Sequence, residues 1–232
     1  MVSLLQCIAA FLWLRLRKNP PSNERAAWLH RSCRMVLRRM GIGITVEGSP
    51  PRSGVIVSNH LSYFDILLYG ATFPCVFVSK AEVRSWPLLG ILAAFGGTVF
   101  IDRGRASSAA AGAKQITALL EGGVPVLLFP EGTSSDGSQV LRFHASLFAP
   151  AVAARAPVTP ASIEYSAAPD AAEQDLCYYG DISFGPHLLK TLRLPKIRAT
   201  IRFAAESGTY ANRKLAAAET WTEVVALRGR RA

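Results

Sequence analysis

The sequence predicts an α/β fold, with a single mixed, largely buried sheet flanked by helices and a membrane-associated helical segment at the N-terminus. Three observations lead there. Short β-branched runs alternate with longer stretches of helical periodicity. The runs are apolar at successive residues rather than at every second one, as in strands covered on both faces. The chain has 232 residues, half of them hydrophobic, enough for one such core and too few for two full domains. The division expected is residues 1–40 as the N-terminal segment and 41–232 as the α/β domain.

Val2 to Leu14 is almost wholly apolar and ends in Arg15-Leu16-Arg17-Lys18. It is short of the roughly 20 apolar residues of a spanning helix. Its charge follows the apolar run instead of preceding it, the reverse of a signal peptide. After Pro20-Pro21, with Ser22 or Asn23 as cap, a helix is predicted from Glu24 to Met40. Ala27, Leu29, Met35, Val36, Leu37 and Met40 supply its apolar side, amid Arg25, Arg31, Arg34, Arg38 and Arg39. Such a basic amphipathic helix suits the headgroup layer of an anionic membrane, and its alternative is packing on the domain. Cytoplasm-facing membrane association follows.

Gly54 to Ser58 reads as a buried strand, Ser62 to Ala71 as a helix, and Cys75 to Ser79 and Thr98 to Ile101 as further strands. Ser107 to Leu120 is an alanine-rich helix stopped by Gly122-Gly123. Val124 to Phe129 is a strand ended by Pro130, and Ser146 to Ala154 a helix. Val158 to Tyr165, Gly180 to Phe184 and Lys196 to Ala204 read as strands, and Asn212 to Leu227 as the last helix.

Lys and Arg number 26 against 16 Asp and Glu, a net charge of +10. The partner implied is anionic: a membrane face or a phosphorylated or acidic substrate. Nucleic acid is excluded, because Trp13 and Trp28 do not interleave with the basic residues as stacking platforms and no nucleic-acid-binding motif is present. Cys7, Cys33, Cys75 and Cys177 are far apart and form neither a zinc set nor a disulfide framework, so they read as reduced, buried residues and no metal is expected.

The chemistry-bearing stretch is Asn59-His60-Leu61-Ser62-Tyr63-Phe64-Asp65, at a strand-to-helix turn. On one continuous helix His60 and Asp65 would stand about 140° apart. With His60 in the turn and Asp65 in the first helical turn, the carboxylate reaches the ring, sets its tautomer and strengthens it as a base. Phe100-Ile101-Asp102-Arg103-Gly104-Arg105 and Phe129-Pro130-Glu131-Gly132-Thr133-Ser134 each follow a buried strand, at the end where α/β folds place ligands. Ala156-Pro157-Val158-Thr159-Pro160-Ala161 opens another. Ser134 and Ser135 lack a Gly-x-Ser-x-Gly elbow, which argues against a serine hydrolase.

These four blocks, in this order from about Gly54 to Ile163, resemble the glycerolipid and lysophospholipid acyltransferase family of the 1-acylglycerol-3-phosphate type. The resemblance implies an O-acyltransferase acting on a lysolipid, with acyl-CoA or acyl carrier protein as co-substrate and no cofactor. His60 takes the general-base role and Asp65 orients it, so the acceptor hydroxyl attacks the thioester without an acyl-enzyme. Arg103 binds the acceptor headgroup, Glu131 and Gly132 shape its site, and Pro160 shapes the pocket. Asn59, Arg105 and Thr133 join them as substrate-binding residues, and a backbone N–H near Gly132 is expected to hold the oxyanion. The block departs from the family at Ser134, where enzymes for lysophosphatidic acid commonly carry a phosphate-holding Arg. Arg142 is the nearby candidate to compensate. Lysophosphatidic acid stands first as acceptor, with a lyso-ornithine lipid or another lysophospholipid as the alternative. A catalytically silent lipid-binding homologue and a thioesterase are the competing functions.

Overall fold

The computed structural model describes residues 11–13, 16–17, 20–86, 89–102, 104–167, 171–194 and 196–229. Among the described residues, seven strands form one sheet: β1 (Gly43–Glu47), β2 (Val55–Ser58), β3 (Val76–Lys80), β4 (Val99–Ile101), β5 (Val126–Leu128), β6 (Val158–Ser166) and β7 (Arg198–Phe203). Their order is β1-β7-β6-β2-β5-β3-β4. All neighbours are parallel except β6 and β7, so the sheet is mixed as expected. The central strands β2 and β5 are buried at every residue, which is why they read as unbroken apolar runs. Ile56 faces one core layer, with Leu61, Leu68 and Tyr69, while Val55 and Val57 face the other, with Ile116 and Phe148.

Among the described residues, besides the helical residues 11–13, seven α-helices accompany the sheet: α1 (Ser22–Met40), α2 (Phe64–Thr72), α3 (Leu89–Phe95), α4 (Ala106–Glu121), α5 (Ala149–Ala153), α6 (Phe184–Arg193) and α7 (Arg213–Gly229). Helix α1 starts two residues earlier than expected. Its N-cap is Pro21, without a side-chain cap, and Asn23 instead accepts from the adjacent amide of Glu24. Gly41 ends α1 in the left-handed region at φ 68°, which glycine adopts without steric cost. Trp28, Leu29, Cys33 and Leu37 are buried in the core layer that also contains Leu68 and Phe77. The apolar stripe of α1 therefore packs on the α/β domain, and its arginines 31, 34, 38 and 39 are exposed.

Of the apolar N-terminal run, only Phe11, Leu12 and Trp13 are described; they are helical. Phe11 packs against Phe95 at 4.4 Å and Trp28 at 5.8 Å between ring centroids, whereas Leu12 and Trp13 are more than half exposed. Among the described residues no helix is long and apolar enough to cross a membrane.

The strand expected at Gly180–Phe184 is absent. Residues 180–183 are turn and coil, and α6 begins at Phe184. Ser183 occupies the N-cap position with extended backbone, and Pro186 sits in the first helical turn, where its missing N–H costs nothing. Strand β1 and helices α3 and α6 are additions to the elements expected. The excursion from β6 to β7 brings α6 against Tyr63, beyond the end of β2, and is tied down where the Tyr178 amide donates to the Leu61 carbonyl at 2.8 Å. Cys33, Cys75 and Cys177 are free and buried, and burial pushes the Cys33 thiol up to about 12. Cys7 lies outside the described residues.

Candidate active site

The site is built where β2 gives way to α2. Asn59 is buried and exchanges two bonds with the backbone of Ile163: its amide nitrogen donates at 2.9 Å and its carbonyl oxygen accepts at 2.8 Å. The β2–β6 ladder ends at Ser58 and Ala161, so this side chain continues it by imitation. Asn59, expected to bind substrate, is occupied in holding two strands together.

His60 follows in the loop and Asp65 sits in the first turn of α2, and their separation closes as expected. His60 Nδ1 lies 2.6 Å from Asp65 Oδ2. That oxygen also accepts the amides of Leu61 at 2.7 Å and Ser62 at 3.2 Å. Oδ1 accepts the Tyr165 hydroxyl. Asp65 is fully buried, so four donors replace its lost hydration. With Nδ1 bound to a carboxylate, Nε2 is the basic nitrogen of the ring. The imidazole stacks on Phe129 at 4.1 Å and 15°, and its side chain is 20% exposed. It can thus be reached by a substrate while its orientation is held.

The loop is pinned from the β5 side as well. Glu131 Oε1 accepts the His60 amide at 3.1 Å, and the Ser135 amide donates to the His60 carbonyl at 2.9 Å. Glu131 is 3% exposed. Burial pushes its carboxyl up to about 8, against the lowering effect of the His60 amide, so at neutral pH it is mostly protonated. Glu131 thus acts on His60 through the backbone. Gly132 makes the turn at φ 74°, and its N–H is spent on the Phe129 carbonyl at 3.1 Å. That N–H is therefore taken, and a backbone donor near Gly132 would have to come from its neighbours. Thr133 and Ser134 come next in the turn and line the cleft with His60.

The other expected positions scatter. Pro160 is buried inside β6 opposite Val57 and receives the Ala204 amide on its carbonyl at 2.9 Å. It supports the sheet and does not line the cleft. Arg105 precedes α4, is 80% exposed and pairs with Asp102 at 3.3 Å, a surface pair of little energetic weight. Arg103 lies outside the described residues. Ser134 donates its hydroxyl to the Tyr178 carbonyl, and Arg142 lies 3.9 Å above the Trp221 ring, so Arg142 does not take the place of the missing cation.

Three features escaped the sequence reading. Tyr165 is an unmarked residue of β6 until the sheet carries it under α2. Lys80, at the end of β3, is the cation among the described residues of the His60 cleft. That cleft, of about 290 Å³, also contains Tyr63, Trp86 and Tyr178. Beside it lies a cavity of about 450 Å³ between α1, α2 and α3, lined among others by Trp28, Leu29, Met35, Val36 and Leu92. The two share Tyr63, Ile66, Val83 and Trp86 as a common wall. The described residues hold no cluster of three or more metal-ligating side chains.

A histidine fixed by a buried carboxylate beside an apolar cavity suits transfer chemistry on a greasy substrate. Residues 43–164, more than half of the chain, match the family described as Acyltransferase. The chain belongs to that family. This acyltransferase is 37% identical over 188 residues to the lyso-ornithine lipid O-acyltransferase of Pseudomonas aeruginosa, covering 78% of the chain and 71% of the relative. It is 33% identical over 225 residues to that of Rhizobium meliloti, covering 88% and 73%. With the 1-acyl-sn-glycerol-3-phosphate acyltransferase of Neisseria meningitidis it shares 36% identity over 135 residues, 57% of the chain and 53% of the relative. The crystal structure of the 1-acyl-sn-glycerophosphate acyltransferase of Thermotoga maritima superposes with a TM-score of 0.66 at 21% identity, covering 97% of this acyltransferase and 89% of that chain. At that identity the likeness speaks for the fold.

Proposed function

We propose that this acyltransferase moves a fatty acyl group from a thioester, acyl-CoA or acyl carrier protein, to the free hydroxyl of a lyso-ornithine lipid. The observation that carries the chemistry is the His60–Asp65 pair at 2.6 Å, facing a cleft that shares a wall with an apolar cavity. His60 Nε2 takes the proton of the acceptor hydroxyl as its oxygen bonds to the thioester carbonyl carbon. Asp65 holds the tautomer and stabilises the imidazolium. The tetrahedral intermediate expels the thiolate, the C–S bond breaks, and the imidazolium returns its proton to sulfur. Atoms and charge balance with no acyl-enzyme and no cofactor. The amides of Thr133 and Ser134 are the donors we assign to the oxyanion, since that of Gly132 is taken. The cavity beside α1 takes an acyl tail.

The choice of acceptor reverses the order expected from sequence. A phosphate monoester carries up to two negative charges and is best held by paired cations. At Ser134 the side chain is a neutral hydroxyl already bonded to a backbone carbonyl, and Arg142 is engaged with Trp221. An ornithine headgroup carries one carboxylate and one ammonium, for which Lys80 and the aromatic rings of Tyr63 and Tyr178 are adequate partners. The four relatives named lyso-ornithine lipid O-acyltransferases, 33–37% identical over 78–88% of the chain, support the same reading.

The test incubates purified protein with labelled acyl donor and either lyso-ornithine lipid or lysophosphatidic acid. Wild type should acylate the first at the higher kcat/KM, and His60→Ala should lose about 10²–10⁴-fold. A preference for lysophosphatidic acid would refute the acceptor, and full activity of His60→Ala would refute the mechanism.

A further inference from the structure

Helix α6 buries two polar side chains and exposes two leucines, while Leu188 packs in part against the core. His187 and Thr191, one turn apart, are 6% and 1% exposed, and His187 Nδ1 lies 2.9 Å from the Tyr63 hydroxyl. Leu189 and Leu192 on the other side are 57% and 51% exposed, with Pro186 exposed beside them. A helix bathed only in water shows the reverse arrangement. The positions of His187 and Thr191 follow from what they meet, the Tyr63 side chain at the cleft, and leave the leucines outside.

The location says what covers them. Phe184, the first residue of α6, packs on Tyr63 at 5.0 Å and Trp86 at 5.3 Å between ring centroids. Those two rings form part of the wall common to cleft and apolar cavity. Other exposed apolar side chains border the same openings: Tyr179 on the cleft and Ile91, 60% exposed, on the cavity. Cations accompany the leucines. Lys190 is on the helix, paired with Asp175 at 2.7 Å; Arg193 ends it, and Lys196 and Arg198 follow, all exposed. Exposed leucines on a helix whose first residue packs on the wall of a lipid-sized cavity, with basic residues alongside, match an interface between acyl chains and anionic headgroups.

We infer that α6 is a membrane-docking helix, which sets Leu189 and Leu192 into an anionic lipid surface and seats the mouth of the cleft against it. The partner is a bilayer rather than a second copy of the chain. This interface is additional to any contact made by the N-terminal segment. It draws on the proposed lipid acceptor for its purpose, but it is measured without turnover.

The experiment uses the full chain and vesicles of mixed phosphatidylglycerol and phosphatidylcholine, read by cosedimentation. Leu189→Ser/Leu192→Ser should partition roughly ten-fold less than wild type, the scale of two leucines left in water. Leu215→Ser, an exposed leucine on α7 (43%), serves as control and should bind like wild type. Acylation of an acceptor embedded in vesicles should fall with the double variant, and acylation of the same acceptor in detergent should not. Equal vesicle binding by wild type and double variant overturns the inference, as does an equal loss in the Leu215→Ser control. A wild-type dimer that the double variant converts to monomer, with vesicle binding unchanged, would assign the face to a second copy instead. Absence of acylation by the wild type, with its vesicle binding intact and weakened in the double variant, counts against the proposed reaction and not against docking.

Discussion

Asp65 is worth as much to this site as His60, because four donors converge on a carboxylate with no access to water. Tyr165 supplies the donor to Oδ1 and is therefore a positioning residue. Tyr165→Phe leaves that oxygen buried and unpaired, which costs about 1–3 kcal/mol. The carboxylate then has one donor fewer to hold it against His60, so kcat should fall roughly ten-fold, the scale of about one to two kcal/mol of lost positioning. A lowered stability with kcat unchanged would reduce Tyr165 to packing. Glu131 makes a pH prediction. Its carboxyl has an ordinary value of 4.5 and is held at about 8 in the fold. Below 4.5 both states are protonated and the site is at its most stable. Between 4.5 and 8 the unfolded chain releases the proton first, so this contribution is lost progressively as pH rises. Glu131→Gln cannot titrate. The urea midpoint of wild type minus that of the variant should therefore decline from pH 5 to pH 8; a constant difference would show that Glu131 ionises normally.

Among the elements, β2 sets the geometry of everything downstream. Gly54 leads into it, where φ is 88° and an added Cβ would lie 2.4 Å from the Pro157 carbonyl oxygen. Backbone cannot yield as a side chain tip can, so Gly54→Ala should cost more than about 2 kcal/mol in chemical denaturation and displace the β2–β6 pairing. Helix α7 offers a contrast remote from the chemistry. Asn212 Oδ1 caps it by accepting the amides of Lys214 and Leu215 at 3.0 and 2.9 Å. Asn212→Ala should lower stability by about 0.5–2 kcal/mol and leave kcat unchanged. Element existence was legible where apolar runs were long: β2, β5, β6, α4 and α7 all appear within a few residues of their expected bounds. Helix α6 was not, because its buried positions are His187 and Thr191 while Leu189 and Leu192 are exposed. A reading based on amphipathic periodicity takes such a helix inside out, and only the Tyr63 ring across the gap explains it.

At the scale of the whole molecule, the basic helix α1 is part of the core before it is anything else. Trp28 is 4% exposed and stacks edge-on to Phe95 at 4.8 Å. Trp28→Ala should cost about 3–5 kcal/mol in aqueous solution without lipid; no loss would mean that α1 contributes nothing to the soluble fold. Arg228 shows the same long-range economy from the other end of the chain. It donates to the carbonyls of Gly137 and Ile163 at 2.6 and 2.7 Å and pairs with Glu173 at 2.6 Å, so the last helix braces the loop that carries Glu131 to Ser135.

The sequence alone determined the α/β class, the pairing of His60 with Asp65, and the family that the four motif blocks carry. Those depend on local spacing: five residues from His60 to Asp65, and turn chemistry at the ends of apolar runs. Only the tertiary structure decided that Asn59 and Pro160 serve the sheet, that Arg105 is a surface ion pair, that Arg142 stacks on Trp221, and that Tyr165 completes the acid's coordination. Each of those assignments joins residues from distant parts of the chain, and hydrogen-bond partners at such separations are set by strand order and register, which local periodicity does not encode.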